Sequence, residues 1–180
     1  MGLSNQEYKR YLNVHLPLLY YCFCKKYKFT NELSFEQFLK KTMDAKFEAR
    51  NFLIGNISLL DEYLKDNEQI AGADKEILLG FDNKLSGRFV ILKHLKNHSI
   101  FMEVKSERFY AVHALSDPFQ DMIDSLPVLV EATILPFESK IIYDGFLNKE
   151  IYIGKNIKQN MLNQYKEAKA NKLIVTTIRN

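Results

Sequence analysis

The sequence predicts an α+β protein, with a helical N-terminal half packed on an antiparallel C-terminal sheet of about six strands that could curl into a small barrel. Three observations lead there. Apolar residues recur at helical spacing as far as Ser86, the period changes to two from Gly87 onward, and no repeat, low-complexity segment or long linker separates the halves. The chain therefore divides into a helical region over 1–86 and a sheet region over 87–180, either as two domains or as one compact domain.

The first helix is announced by Ser4 and Glu7 as a capping box, followed by Tyr8, Leu12, His15, Leu16, Leu19 and Phe23, with Pro17 as a kink. Ser34 with Gln37 repeats the box, and the stripe Phe35, Phe38, Leu39, Thr42, Met43, Phe47 reads as one helix ending at Gly55-Asn56. Shorter helices start at Ser58 and Asp74. "RFVILKHLK", "SIFMEV" and "FYAVHAL" read as a three-stranded meander with a two-residue turn at Asn97-His98 and a four-residue loop at 105–108. Asp117-Pro118 with Gln120 starts a short helix over 118–125. Strands "VLVEATIL", "KIIYDGF" and "EIYI" follow, then a helix over 157–170 capped by Asn156, and a last strand "LIVTTI".

With 180 residues, 47% of them hydrophobic and 26% charged, the chain is long enough for a packed core. The formal charge of +3 does not imply nucleic acid by its size, but its distribution is uneven: Lys149, Lys155, Lys158, Lys166, Lys169, Lys172 and Arg179 stand against Glu150 and Glu167. Cys22 and Cys24 lie two apart on a helix and cannot easily bridge, so a reducing cytoplasm is expected. The segment from Tyr11 to Cys24 is short of the roughly 20 apolar residues a membrane span needs and contains Asn13, His15 and Pro17. Neither a membrane anchor nor a signal peptide is expected.

On the predicted registers one sheet face holds Phe89, Ile91, Leu95, Ile100, Met102, Val104, Phe109, Ala111 and Leu115, with Lys93 and His113 as misfits. A lysine near a rim can snorkel and a histidine can donate one hydrogen bond inside a core. The opposite face, with His94, Lys96, Glu103 and Tyr110, reads as half-wet. If Pro136–Ser139 is a loop, Glu131 faces Asp144, and directly opposed carboxylates about 5 Å apart repel unless a cation or shared proton intervenes. Such a pair is either a metal or acid/base site, or a solvent-facing hairpin neutralised by a nearby Lys or Arg. His94 and His98 beside Lys93 and Lys96 suit phosphate, but lack the ligand spacing of a zinc site.

Two resemblances bear on this. Ile142-Tyr143 and Tyr152-Ile153-Gly154 have the spacing of the two strands that open a GIY-YIG nuclease, a likeness of about 20 residues. That family is known for an arginine on the next helix and a glutamate beyond it. Here the helix reads "NIKQNMLNQYKEAKAN" without arginine, and Ile141 stands where the family has glycine. More broadly, "GRFVILKHLKNHSIFM" and "LPVLVEATILPFESKIIYDGFL" resemble an uncharacterised bacterial family whose second stretch tends to read LPFKGKIIYDG. This chain has Glu138-Ser139 in place of Lys-Gly. The likeness implies no activity and no cofactor, and favours treating 87–180 as one unit.

The expected function is that of a non-enzymatic interaction module without a cofactor, binding a protein or nucleic acid through the half-wet face and the basic helix. Lys155, Lys158, Lys166 and Lys169 would contact phosphates. The alternative for that helix is a solvated outer face over an Ile157, Met161, Tyr165 stripe. The rival function is a metal-dependent hydrolase or phosphodiesterase using Glu131 and Asp144, with Lys93, His94 or His113 nearby. A structural subunit, forming a homo-oligomer, is the third class.

Overall fold

The structure is a computed structural model that describes residues 2–28 and 33–178, without the side chains of Glu150, Lys155 and Asn156. It is mixed α and β, and it divides into two compact units, 6–82 and 83–180 with 1–5. The break falls a few residues before the predicted boundary, and the extreme N-terminus belongs with the sheet, where the Leu3 amide donates to the Ala114 and Leu115 carbonyls at 3.1 and 3.0 Å.

The helical unit contains α1 (Asn5–Tyr27), α2 (Phe35–Leu39), α3 (Met43–Gly55), α4 (Ser58–Asp66) and α5 (Gly72–Leu79). Its core gathers Leu18, Leu19, Cys22, Phe38, Leu53, Leu60, Leu78 and Phe81. The buried face of α1 runs through Tyr11, His15, Leu18, Leu19, Cys22 and Phe23, so it is rotated from the predicted stripe, whose Tyr8, Leu12 and Leu16 are only half-buried. The Ser34–Gln37 capping box forms with both bonds in place. The single helix expected from Phe35 to Gly55 is instead broken. The Thr42 side chain accepts from the Ala45 amide and starts α3, while the Lys46 ammonium donates to the Leu39 and Lys41 carbonyls that α2 leaves open.

The second unit is built on β1 (Leu85–His94), β2 (Ser99–Glu103), β3 (Phe109–His113), β4 (Val128–Phe137) and β5 (Lys140–Tyr152), with α6 (Phe119–Met122) between β3 and β4 and α7 (Lys155–Ala170) after β5. Hydrogen bonding closes the strands in the order β1-β2-β3-β5-β4. The sheet is mixed rather than antiparallel throughout, because β3 and β5 pair in parallel, Val112 with Ile141 and His113 with Ile142. The predicted strands "KIIYDGF" and "EIYI" are one bent strand, and the predicted last strand is reduced to a bridge from Val175 to Tyr110.

The face expected to be half-wet is so only at its margin, where His94 and Glu103 are half-buried and Lys96 is exposed, while Tyr110 is buried. Phe89, Phe101 and Tyr110 form one layer, with ring centroids 6.1 and 6.3 Å from Phe89, and Phe119 closes on Phe101 at 5.2 Å. The other side carries Val90, Leu92, Ile100, Met102, Phe109 and Leu129, packed against Tyr165 and Ala168 of α7. The run "FVIL" at 89–92 is therefore buried on both faces, which is why it reads as continuous rather than alternating. The short helix is also shorter than predicted. Pro118 occupies the N-cap position with no side-chain hydrogen bond, and the helix ends at Met122.

The C-terminal helix starts at Lys155 with Gly154 as N-cap, two residues before the predicted start; the side chain of the predicted cap, Asn156, lies outside the described residues. At its other end Lys172 takes φ 55, and the Leu173 amide reaches back to the Ala168 carbonyl at 2.8 Å. This left-handed close turns the chain so that Val175 pairs with β3, its amide donating to the Phe109 carbonyl and its carbonyl accepting from the Ala111 amide.

Candidate functional site

The β4–β5 hairpin turns on two residues, Glu138 and Ser139, with Glu138 at φ 51. Pro136 lies beyond the last β1 partner of β4, Ile134, so its missing N–H breaks no β1–β4 bond. This tighter turn moves the register by two, and a bulge further along moves it again. Tyr143 pairs with Ile134 and Leu147 with Ala132, leaving Asp144, Gly145 and Phe146 in the bulge.

The expected Glu131–Asp144 pairing is not formed. Glu131 is exposed, with Arg88 across the β1 side and Asn148 across the β5 side. Asp144 is buried at 1% exposure, where its Oδ1 accepts from the Phe146 amide at 3.1 Å. Its role is to hold the bulge, the Asx-type service that a short carboxylate performs for a backbone leaving its ladder. Gly145 takes φ +97 there, and an added Cβ would lie 3.3 Å from Leu115 Cδ1. Gly145→Ala is expected to destabilise the unit by about 1–3 kcal/mol, combining left-handed strain with the close approach to Leu115, as read by urea unfolding. A loss under a few tenths would mean that the bulge rearranges at no cost.

Lys93 and His113 do not sit in the core as misfits together. A bulge between Ile91 and Lys93 turns Leu92 into the α7 seam and Lys93 out to solvent. His113 is half-buried, its ring 5.7 Å from that of His98. His94 Nδ1 lies 2.8 Å from Ser99 Oγ, across the β1–β2 pair. Burial lowers the pKa of His94, with a backbone hydrogen bond at Ile123 acting the other way, and burial lowers that of His98. Both rings are thus held toward the neutral form. His94, His98, Ser99 and Gln120 line a recess too small for a phosphate, with a free volume of about 10 Å³, roughly that of one water. No group of three or more His, Cys, Asp or Glu among the described residues could hold a metal ion.

The basic helix splits its lysines between two tasks. Lys158 donates to the Leu126 carbonyl at 3.0 Å, and Lys149 on β5 donates to the Met122 carbonyl; both tie down the α6–β4 connection. Lys166 and Lys169 are exposed, as is Lys172 beyond the helix end. The Lys155 side chain lies outside the described residues. The inner stripe of α7 is Met161, Leu162, Tyr165 and Ala168, with the Tyr165 ring 5.9 Å from that of Phe109. Ile157, expected in that stripe, is 56% exposed. No sequence signal separates Lys158 from its neighbours, since its partner is a backbone carbonyl remote in the chain.

Cys22 and Cys24 are both free thiols, and burial pushes the pKa of Cys22 up to about 12, which makes it inert. Among the described residues no helix is long and apolar enough to cross a membrane. Comparison with known proteins finds no matching family model, no matching curated protein and no matching solved structure.

Proposed function

We propose that the chain is a non-enzymatic nucleic-acid-binding module that holds the sugar-phosphate backbone through the outer side of α7. The observation that carries this reading is that Lys166 and Lys169 are exposed three positions apart on a helix whose inner side is committed to the sheet, with Lys172 exposed just beyond them. Lys93 and Lys96 add exposed cations at the β1–β2 turn. The strand order, with β3 parallel to β5 and a short helix between β3 and β4, is that of OB-type barrels, which present the β2–β3 face and adjoining loops to oligonucleotides or oligosaccharides. Here α7 covers that face, so a nucleic acid is left with the lysines outside it. Fold alone does not assign function, and the lysine row is what gives the reading its chemistry.

Binding of a mixed-sequence single-stranded oligonucleotide, followed by fluorescence anisotropy over a salt series, tests it. Affinity should fall steeply with salt, and Lys166→Gln with Lys169→Gln should reduce the log–log slope by about 1.4, roughly 0.7 for each phosphate no longer neutralised. Binding that does not weaken between low and moderate salt, or a slope unchanged in the double variant, contradicts the proposal.

A second reading, a protein partner or a second copy of the chain, has its own observation. Ile151, Tyr152 and Ile157 are 61, 58 and 56% exposed within seven residues of one another in sequence. Light scattering that shows a defined oligomer, dispersed by Tyr152→Ser with Ile157→Ser, would favour this reading over the first.

A further inference from the structure

We propose that the helical unit holds a binding cleft for a small carboxylate with an aromatic or aliphatic body, between the C-terminal end of α1 and the α2–α3 turn. The cleft has a volume of about 360 Å³ and is lined by Phe23, Tyr27, Lys40, Lys41, Asp44 and Glu48, among others. That volume lies at the lower end of the range for small-molecule sites, roughly 300–1,000 Å³.

Its floor is aromatic and fixed. Phe23 is 6% exposed, with its ring 4.7 Å from Tyr27 and 5.4 Å from Phe38. Tyr27, which lines the cleft, is 44% exposed, whereas the exposed Leu39 and Met43 neighbour the lining residues in sequence without lining it. The walls carry charge of both signs, but unequally engaged. Lys26 at 2.8 Å and the Tyr27 hydroxyl both donate to Glu48 Oε2, and these bonds hold its carboxyl below the ordinary range. Lys46 pins the turn by donating to two of its carbonyls. Lys41 lies 5.5 Å from the centroid of the Phe23 ring, and among the described residues neither it nor Lys40 forms an ion pair.

The engaged charges define the ligand. An apolar body would rest against the exposed Tyr27 ring above the Phe23 floor, while one carboxylate would meet Lys40 and Lys41. A polyanion is disfavoured, because its further charges would meet Asp44 and Glu48 on the α3 wall. Two lysines supply point charges rather than the planar fork that an arginine would give, which suits a single carboxylate at the mouth.

The test uses the full chain and 1-naphthoate as probe, with amide chemical shifts followed by NMR. Saturable shifts at residues 23–27 and 40–48 are expected, weakened at least tenfold by Lys40→Gln with Lys41→Gln and, without any substitution, by replacing the acid with neutral 1-naphthalenemethanol. Circular dichroism of the double variant establishes that it folds. No shifts in these segments at millimolar naphthoate, or equal affinity for the acid and the alcohol, would overturn the proposal.

Discussion

Acidification from about pH 7.5 to 4.5 is expected to cost the helical unit roughly 2.5–3 kcal/mol through His15 alone. His15 is 3% exposed, its ring 4.8 Å from Tyr11 and 5.3 Å from Phe81, and its Nε2 has no hydrogen-bond partner among the described residues. Burial first, and then the charge of Arg50, lower its pKa from 6.5 to about 3. The folded state thus keeps the ring neutral where the unfolded chain already protonates it. Above pH 6.5 the ring is neutral in both states and stability is unaffected. As pH falls from 6.5 toward 3 the unfolded state gains a proton the folded state lacks, at about 1.4 kcal/mol per unit. Carboxylates add their own pH dependence, so the informative quantity is the difference between the native chain and His15→Leu. Urea unfolding followed by circular dichroism should give curves that diverge below pH 6.5, the variant gaining relative stability. Parallel curves down to pH 4.5 would show that His15 is hydrated or paired in solution.

Tyr165→Ala is expected to cost about 3–4 kcal/mol and to release α7 from the sheet. The ring is 5% exposed at the centre of the seam, against Phe109 and among Val90, Leu92, Ile100 and Met102. Truncating a buried aromatic removes its transfer energy and leaves a cavity. The cost falls on an element with little to hold it otherwise. A helix of 16 residues is marginal alone in water, and its sequence is mostly Lys, Asn and Gln outside the seam. Amide hydrogen exchange should lose protection over 155–175 together, because the Val175 bridge to β3 depends on where the helix delivers the chain. Tyr165→Phe keeps the ring and should stay within about 1 kcal/mol of the native chain. Deprotection confined to residues near 165 would mean that the tail is held independently.

The class, the order of helices before strands and the Ser34–Gln37 box are legible in the sequence, because they rest on local periodicity and local hydrogen bonds. Much less is legible where long-range pairing decides. The break between α2 and α3 depends on Lys46 reaching back to two carbonyls, which no stripe reveals. Glu131 and Asp144 do not meet because the turn is two residues long, not four, and because a bulge at Gly145 removes Asp144 from the ladder. Asp-Gly within a strand is itself a bulge signal, so that part of the outcome is written locally. The faces of the meander escape the pattern for a related reason: alternation presumes one wet face, whereas α7 covers Ile100, Met102 and Phe109 and an aromatic layer with Phe119 buries Phe101 and Tyr110 on the other side. The lysines mark the limit for the site, since Lys158 and Lys166 look alike in sequence and only one is tied to a backbone carbonyl.

For a nucleic acid to be held by the outer lysines, α7 must stay in place over β1–β3 in the bound state. Nuclear Overhauser contacts between the Tyr165 ring and the Phe109 ring, measured with and without saturating oligonucleotide at low salt, test this directly. These contacts should persist in both states, with ligand-induced shifts centred on Lys166 and Lys169. Their disappearance on binding, with shifts moving to Ile100, Met102 and Phe109, would contradict this mode of binding and make α7 a cover that the ligand displaces.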